Sequence, residues 1–580
     1  MRRQVRHVVR PVVLVATALV PSALMAQSVV RITAAGGRQA DPEGGMAVAF
    51  TQDDRFALVL GNAGYPSALS WSDGSAWLDL WTGQFSHVLW ALDGGPPNST
   101  AQLAVLSAND RYLLIESWAS NLVTGDTNDA IDVFLVDRQS NTIERVGLGS
   151  NGLEPNDHTW IGAVSDSGRF IAFVSAAANL GTVDANQPQL YRRDRSLDVT
   201  ALISHNASGA LANAGVIDSA MTSDGRWVAF TSYATNLVAG DTNGNADLFV
   251  YDALADAVTR ASVNASGFEA NYGVGPNFDM SADGRWIAFD SPSSNLVPGV
   301  VNLVQQVYLL DRSSGAIQLV SASSSGQACG DSAQNAQVSS DGRFVLFDSF
   351  ASDIDPRDVD GLQDTFLRDM SSGTTQMVSL SSAGDPGVPS APGGGSASSN
   401  ALSSDGRLAS FYADLIGLVP GVTSPWDGYL FDRLSSCAPI EGYCTPKLNS
   451  WGCEPRITCG GEPYTSGPTN AFFVSAHAVR PNTAGALIWS LAPASTAFGG
   501  GTLCVAPPLV HTRVQDSSAN GMSWQTCSGS YSFFMSHAYM AAHGIGPGTS
   551  VYAQYWSRDP EFAFPNNVGL TDALHFTASP

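Results

Sequence analysis

Lysine is nearly missing from this sequence of 580 residues: of 28 basic residues only Lys447 is a lysine, against 52 acidic ones and a net charge of −24. Basic charge this sparse excludes the phosphate neutralisation that nucleic-acid binding depends on, and it disfavours an anionic lipid surface equally. Long hydrophobic runs are also missing. The longest, Val12 to Leu24, is broken by Pro21 and falls short of the ~20 apolar residues that cross a bilayer. It follows Arg2, Arg3, Arg6 and Arg10 and leads into the small residues Ala23 and Ala26, the grammar of a secretory signal over residues 1–26 cleaved after Ala26. The expectation is an exported protein with no membrane span, periplasmic, cell-surface or extracellular. Cysteine is missing from the first 436 residues apart from Cys329. Catalytic signatures are lacking as well: there is no G-x-S-x-G elbow, no H-E-x-x-H and no C-x-x-C pair. His477, His511, His537, His543 and His575 are scattered without metal-ligand spacing.

What the chain does have is repetition. An arginine closing a D-G-R-like turn recurs at Arg55, Arg111, Arg169, Arg226, Arg285, Arg343 and Arg407, every 56 to 64 residues. The widest interval contains the Gly/Pro/Ser stretch "SAGDPGVPSAPGGGSASSN", which reads as a surface loop. Each copy runs through one grammar, clearest in copy four, "SDGRWVAFTSYATNLVAGDTNGNADLFVYD" from Ser223 to Asp252. The Asp-Gly pair suits a tight turn because glycine accepts positive φ. A short apolar run follows, then a polar crossover, a β-rich segment such as "DLFVYD", and a last strand such as "VTRASV". With the strand before the turn this makes four antiparallel strands per copy. A run like "WVAF" does not alternate, which fits a sheet covered on both faces, so neighbouring copies must stack. Seven stacked sheets around an axis predict a seven-bladed β-propeller over 27–435.

Copy seven reaches "GYLFDR" and then lacks its last strand. The segment "VVRITAAGG" from Val29 matches "VTRASVNASG" from Val258, with Arg31 where Arg260 stands. The propeller is therefore expected to be closed by an N-terminal strand, which hides both open edges. The pattern "SDGR-aromatic-apolar-AF", then "NLV-x-GDTN" and "D-x-FVYD", resembles the WD40-like, TolB-type propeller repeats of exported bacterial proteins, over roughly Ser28 to Leu434. The resemblance implies protein–protein contact at the cell envelope; a propeller alone implies no chemistry. Copy one, "NAGYPSALSWSDGSAWLDLW", departs most.

The crossovers raise one chemical question. In copy four Asp241, Asn243, Asn245 and Asp247 place oxygens at alternate positions, as Ca2+ loops do. Copy two offers Asp126, Asn128 and Asp132, and copy six Asp358, Asp360 and Asp364. Copy three keeps only Asp184 and Asn186, copy five only Asn302, and the glutamate that closes an EF-hand shell is missing. The preferred reading is that these Asp and Asn side chains bond nearby backbone amides and shape a turn. The competing reading is Ca2+, with copy four the fullest set.

From residue 436 to 580 the grammar changes. Cys437, Cys444, Cys453, Cys459, Cys504 and Cys527 cluster there, and in an exported chain such clustering favours disulfides, with 15 pairings open. Strand-like runs such as "AFFVSAHAV", "GALIWSLA" and "SVYAQYWSRD" separated by Gly/Pro/Asn turns predict a disulfide-stapled β-sandwich. The residues "YCTPKLNSWGCEP", "GTLCVAPP", "YWSRDPEF" and "LTDALHFTASP" resemble a cysteine-bearing module at the C-termini of large secreted bacterial proteins, although Ser579 stands where that module carries a cysteine. That resemblance implies sorting, surface attachment or recognition. Arg558 and Asp559 read as a turn-bracing pair. The whole chain is thus expected to be all-β and to act as a non-enzymatic scaffold for a protein or surface glycan partner. A carbohydrate-active enzyme with its site in the funnel and a calcium-stiffened surface protein are the alternatives.

Overall fold

The structure, a computed structural model, describes residues 28–32 and, between 46 and 578, all but short segments, the longest being 61–74, 181–186, 419–426, 440–446, 466–471 and 517–528. The signal-like segment 1–26, Asp184, Asn186, Asn302, Cys437, Cys444, Cys453 and Cys527 lie outside the described residues.

The chain is all-β, and each repeat copy folds into a four-stranded antiparallel sheet. In copy four the strands are Val216–Met221, Trp227–Ser232, Asp247–Asp252 and Ala257–Arg260, hydrogen-bonded in that order. Seven such sheets occur among the described residues, an arrangement consistent with a β-propeller. Six take their strands consecutively. The seventh joins Ala397–Leu402, Leu408–Ala413 and Asp427–Asp432 to the distant strand Ser28–Ile32. There Arg31 stands opposite Tyr429, the register in which Arg260 stands opposite Phe249. Copy one lies against copy seven: Ser410 Oγ donates to the Ala47 carbonyl at 2.7 Å, and Ala47, Ala57 and Leu78 share a core with Ala401 and Leu408.

The second strand of each sheet shows why the sequence does not alternate there. Residues Val228 to Ser232 are all buried, as are Tyr112 to Ser117, because a neighbouring sheet covers each face. Between second and third strands aromatic rings stack in register: Phe230 on Phe249 at 5.5 Å, Phe347 on Phe366 at 5.7 Å, Phe411 on Tyr429 at 5.3 Å. Such pairs add to burial what their area alone does not.

The D-G-R turn holds copy to copy. Gly225 sits at φ +73, and a β-carbon there would collide with the Phe170 ring of the preceding copy. Asp224 Oδ1 accepts from the Arg226 amide (2.9 Å) and Thr222 Oγ1 (2.6 Å), closing the turn on itself. Ser223 N donates to the Ala282 carbonyl of the next copy and Asp166 N to the Ser223 carbonyl, both at 2.8 Å, so the turns form a chain. The arginine then grips the aspartate ending the third strand through two parallel bonds, Arg226 to Asp252 at 3.0 and 2.9 Å. The same pair recurs as Arg111–Asp137, Arg169–Asp194, Arg285–Asp311, Arg343–Asp369 and Arg407–Asp432. The repeated arginines therefore brace turns, and the hydrogen-bonded guanidinium holds Asp137, Asp194, Asp252, Asp311 and Asp369 low, Asp252 at about 2.

Beyond residue 436 a six-stranded sheet and a three-stranded sheet share one core. Ile457, Val474 and Ala476 of the smaller sheet pack on Leu487, Trp489, Val551, Tyr555 and Phe576 of the larger. The one α-helix among the described residues, His537–Ala542, is capped by Ser536, which accepts from the Tyr539 amide. Cys459 and Cys504 are each disulfide-bonded. Asp559 is not braced by Arg558 beside it: Arg480 Nη1 reaches it at 2.8 Å and Ser450 donates to both its oxygens at 2.6 Å, because the side chain points inward while Arg558 is exposed. No helix among the described residues is long and apolar enough to cross a membrane.

Candidate cation sites

Among the described residues three acidic groups come together at the crossovers, one each in copies two, four and six: Asp126, Asp132 and Glu154; Asp241, Asp247 and Glu269; Asp358, Asp360 and Asp364. In each, the potential ligand atoms all lie within 4.8 Å of one another. Each group could bind a metal by its chemistry, yet the three differ in what already neutralises them.

In copy four the Asn243 oxygen is engaged away from the centre, contrary to what a calcium loop requires, and its Nδ2 donates to Asp247 Oδ2 at 3.3 Å. Asn243 Oδ1 accepts from the Asn245 amide at 2.7 Å and its Nδ2 donates to the Ala270 carbonyl at 3.0 Å, which ties the loop to the next copy. Asn245 Nδ2 donates to the Asn243 carbonyl at 3.1 Å. These are the turn-shaping bonds expected of Asx residues. The acidic centre instead gains Glu269, from beyond the fourth strand, and Arg260. Arg260 Nη1 sits 3.6 Å from Asp241, 3.2 Å from Asp247 and 2.7 Å from Glu269, while Nη2 donates to the Gly240 carbonyl at 2.9 Å. A guanidinium occupies the place a metal ion would take.

Copy two repeats this arrangement. Arg145 Nη1 lies 3.3, 3.1 and 2.7 Å from Asp126, Asp132 and Glu154, and Nη2 donates to the Gly125 carbonyl at 2.7 Å. Asn128 accepts from the Ala130 amide (3.1 Å) and donates to the Pro155 carbonyl (3.1 Å). Burial pushes Asp132 and Asp241 up to about 6, only partly offset by the neighbouring arginine. Burial opposes ionisation of Glu154 too, but bonds from Thr127 and Arg145 outweigh it and hold that carboxylate at about 2.

Copy six has no arginine at the equivalent position. Met377 stands opposite Phe366, the register of Arg260 opposite Phe249. Asp358 and Asp364 are each 4 % exposed, and burial raises both, Asp364 to about 8. Ser379 Oγ donates to Asp364 Oδ1 at 2.6 Å and Leu362 N to Asp360 Oδ1 at 3.0 Å. The amides of Asp360 and Gly361 lower Asp358 slightly without reaching hydrogen-bonding geometry, and both its oxygens are buried with no hydrogen-bond partner. The adjacent Arg357 is committed elsewhere, to Asp355 at 2.9 and 2.6 Å.

A second feature lies where the second strand passes into the crossover. In copies two, four and six the strand ends in a serine whose Oγ accepts from the amide two residues on: Ser117 for Ala119, Ser232 for Ala234, Ser349 for Ala351. That turn buries the alanine and throws the residue between outward, leaving Trp118, Tyr233 and Phe350 exposed. His158 packs edge-on to Trp118 at 5.0 Å. The signal was legible as "SWA", "SYA" and "SFA", where copies three and five have "SAA" and "SPS". Arg145, Arg260, Glu154 and Glu269 were missed because they are contributed by later elements than the loops they enter.

No protein-family model matches the chain, and no curated protein matches it. Solved structures similar to it include a putative TolB from Agrobacterium tumefaciens, at 15% identity over 48% of this chain and 81% of that one, TM-score 0.31. An oligogalacturonate lyase in complex with manganese covers 72% of this chain and 96% of its own at 14% identity, TM-score 0.42. A GH74 xyloglucanase from Xanthomonas campestris covers 78% of this chain and 60% of its own at 12% identity, TM-score 0.37. At scores below 0.5 none of these likenesses bears on what this chain does.

Proposed function

We propose that the chain is an exported, non-enzymatic scaffold: seven sheets closed into a ring by the Ser28–Ile32 strand, followed by a disulfide-stapled β-sandwich over 436–580, binding a protein or surface glycan at one mouth of the ring. The observation that carries this reading is the set of exposed aromatics Trp118, Tyr233 and Phe350, held at one register position in alternate copies by the same serine turn. Large rings turned outward on rigid turns, at the same end of each sheet, suit a docking face, since they offer contact area at little entropic cost. The sequence before Ser28 supports export, and the repeat's other retained polar residues serve the turns. The test compares the full chain with the triple variant Trp118→Ala/Tyr233→Ala/Phe350→Ala for binding to immobilised cell-envelope proteins and to a glycan panel. Retention by the parent and loss in an equally stable variant is expected. Equal retention by both would overturn it, as would turnover of a glycan or peptide by the purified protein.

A further inference from the structure

Two positions covary along the chain itself. One opens the third strand of each sheet; the other stands across from that strand's third residue. Copies two and four pair Asp132 with Arg145 and Asp247 with Arg260, and copy seven carries Asp427 and Arg31 at the same two register positions. Copies three and five pair Gln189 with Leu202 and Gln306 with Leu319. Charge accompanies charge, and neutral accompanies neutral. In the neutral copies the glutamine oxygen is met by a serine, Ser204 at 2.8 Å and Ser321 at 2.7 Å, and no ion is needed.

Copy six breaks the rule. Asp364 is retained while its counterpart is Met377, itself 1 % exposed. The same copy adds a carboxylate, Asp360, where copy four has Asn243. It places Pro386 where copy four has Glu269, since Leu380 bridges Pro386 as Val263 bridges Glu269. Three aspartates thus converge with the arginine deleted. Independently of that charge count, the Asp358 carboxylate is buried in the cluster with neither oxygen hydrogen-bonded. Buried charges stripped of their partner are strongly destabilising, so a fold that keeps them calls for another cation.

We infer that Asp358, Asp360 and Asp364 bind a hard divalent cation of the calcium type, which fills in copy six the place a guanidinium fills in copies two and four. The donor set is oxygen only, as such ions require. Ligand oxygens that all lie within 4.8 Å of one another can reach a single ion, and a set of three carboxylates suits calcium, which takes many carboxylate oxygens, better than magnesium, which keeps several waters and uses one or two carboxylates. This inference is independent of the binding face proposed above.

The experiment is calorimetric titration of CaCl2 into the chelator-treated full chain, with thermal melts alongside. The parent should bind calcium and melt higher with it. Met377→Arg/Asp360→Asn, which rebuilds the copy-four arrangement, should bind one calcium fewer per chain and should melt in chelator at least as high as the calcium-loaded parent. Asp364→Gln, which copies what copies three and five carry, is the second variant and should likewise lose one calcium. Absence of calcium binding by the parent, or undiminished stoichiometry in either folded variant, would overturn the inference; so would magnesium binding at this site in preference to calcium.

Discussion

In copy four a guanidinium stands among three carboxylates; in copy six the residue at the same register is Met377, which packs in an apolar core. The two loops share a left-handed glycine, Gly244 and Gly361 at φ +67 and +66, and a turn in which the side chain just before it accepts from the amide two residues on, Asn243 from Asn245 and Asp360 from Leu362. What separates them is where the positive charge comes from. The comparison teaches that an acidic loop in a repeat is uninformative until its counter-charge is found, and that this charge can be supplied from another strand. Copy four, the fullest set by sequence, is internally neutralised, and copy six is the one that is not.

The comparison can be broken most forcefully by making copy four resemble copy six. Arg260→Met should cost about 3–5 kcal/mol in urea unfolding of the chelated protein, because it leaves buried carboxylates uncompensated. Added calcium should recover much of that loss, and failure to do so would show that the two loops are not equivalent.

A second contrast concerns the fifth residue of the second strand, which is Val174 or Thr231 in copies three and four but Glu116 in copy two and Asp290 in copy five. Burial pushes Glu116 and Asp290 up to about 7. Asp290 is 1 % exposed, Gln305 donates to its Oδ2, and Oδ1 has no hydrogen-bond partner. Its folded pKa lies above the unfolded value, so its contribution to stability is complete below about pH 4 and is lost as pH rises through about 7. Asp290→Asn should remove that loss, flattening the parent's decline between pH 4 and 8 by up to about 4 kcal/mol at about 1.4 kcal/mol per unit.

Two glycines sharpen the difference between turn and loop. Gly225→Ala must take φ +73 and meet the Phe170 ring, and should cost about 3 kcal/mol. Gly244→Ala has the same backbone problem with nothing within 4 Å and should cost about 1 kcal/mol. Equal losses in chemical denaturation would remove packing from the explanation. The smallest effect belongs to the exposed aromatics: the triple alanine variant should change stability by no more than about 0.5 kcal/mol while binding is lost.

The repeat, its turns and the non-alternating second strands were legible because each is local. Asp-Gly before an arginine names a turn, and "WVAF" names a strand covered twice. Even a distant pairing was legible where one residue carried it: Arg31 in "VVRIT" stands opposite Tyr429 in the register of Arg260. The sites were not legible in the same way. Asp241 and Asp247 lie on one loop, but Arg260 arrives from the fourth strand and Glu269 from beyond it, so no contiguous motif contains them. The missing counter-charge of copy six shows only when "TTQMVSL" is laid on "AVTRASV" with the strand register in hand. Asp559 was misassigned to Arg558 for the same reason, its partner Arg480 being remote in sequence.

The most direct measurement is a crystal structure grown in calcium, with anomalous scattering collected to locate the ion. Density should appear among Asp358, Asp360 and Asp364 and be absent between Asp241, Asp247 and Glu269, where Arg260 Nη1 stands. An ion in copy four beside a displaced arginine, or none in copy six, would contradict the division of the repeats into arginine-neutralised and metal-neutralised loops.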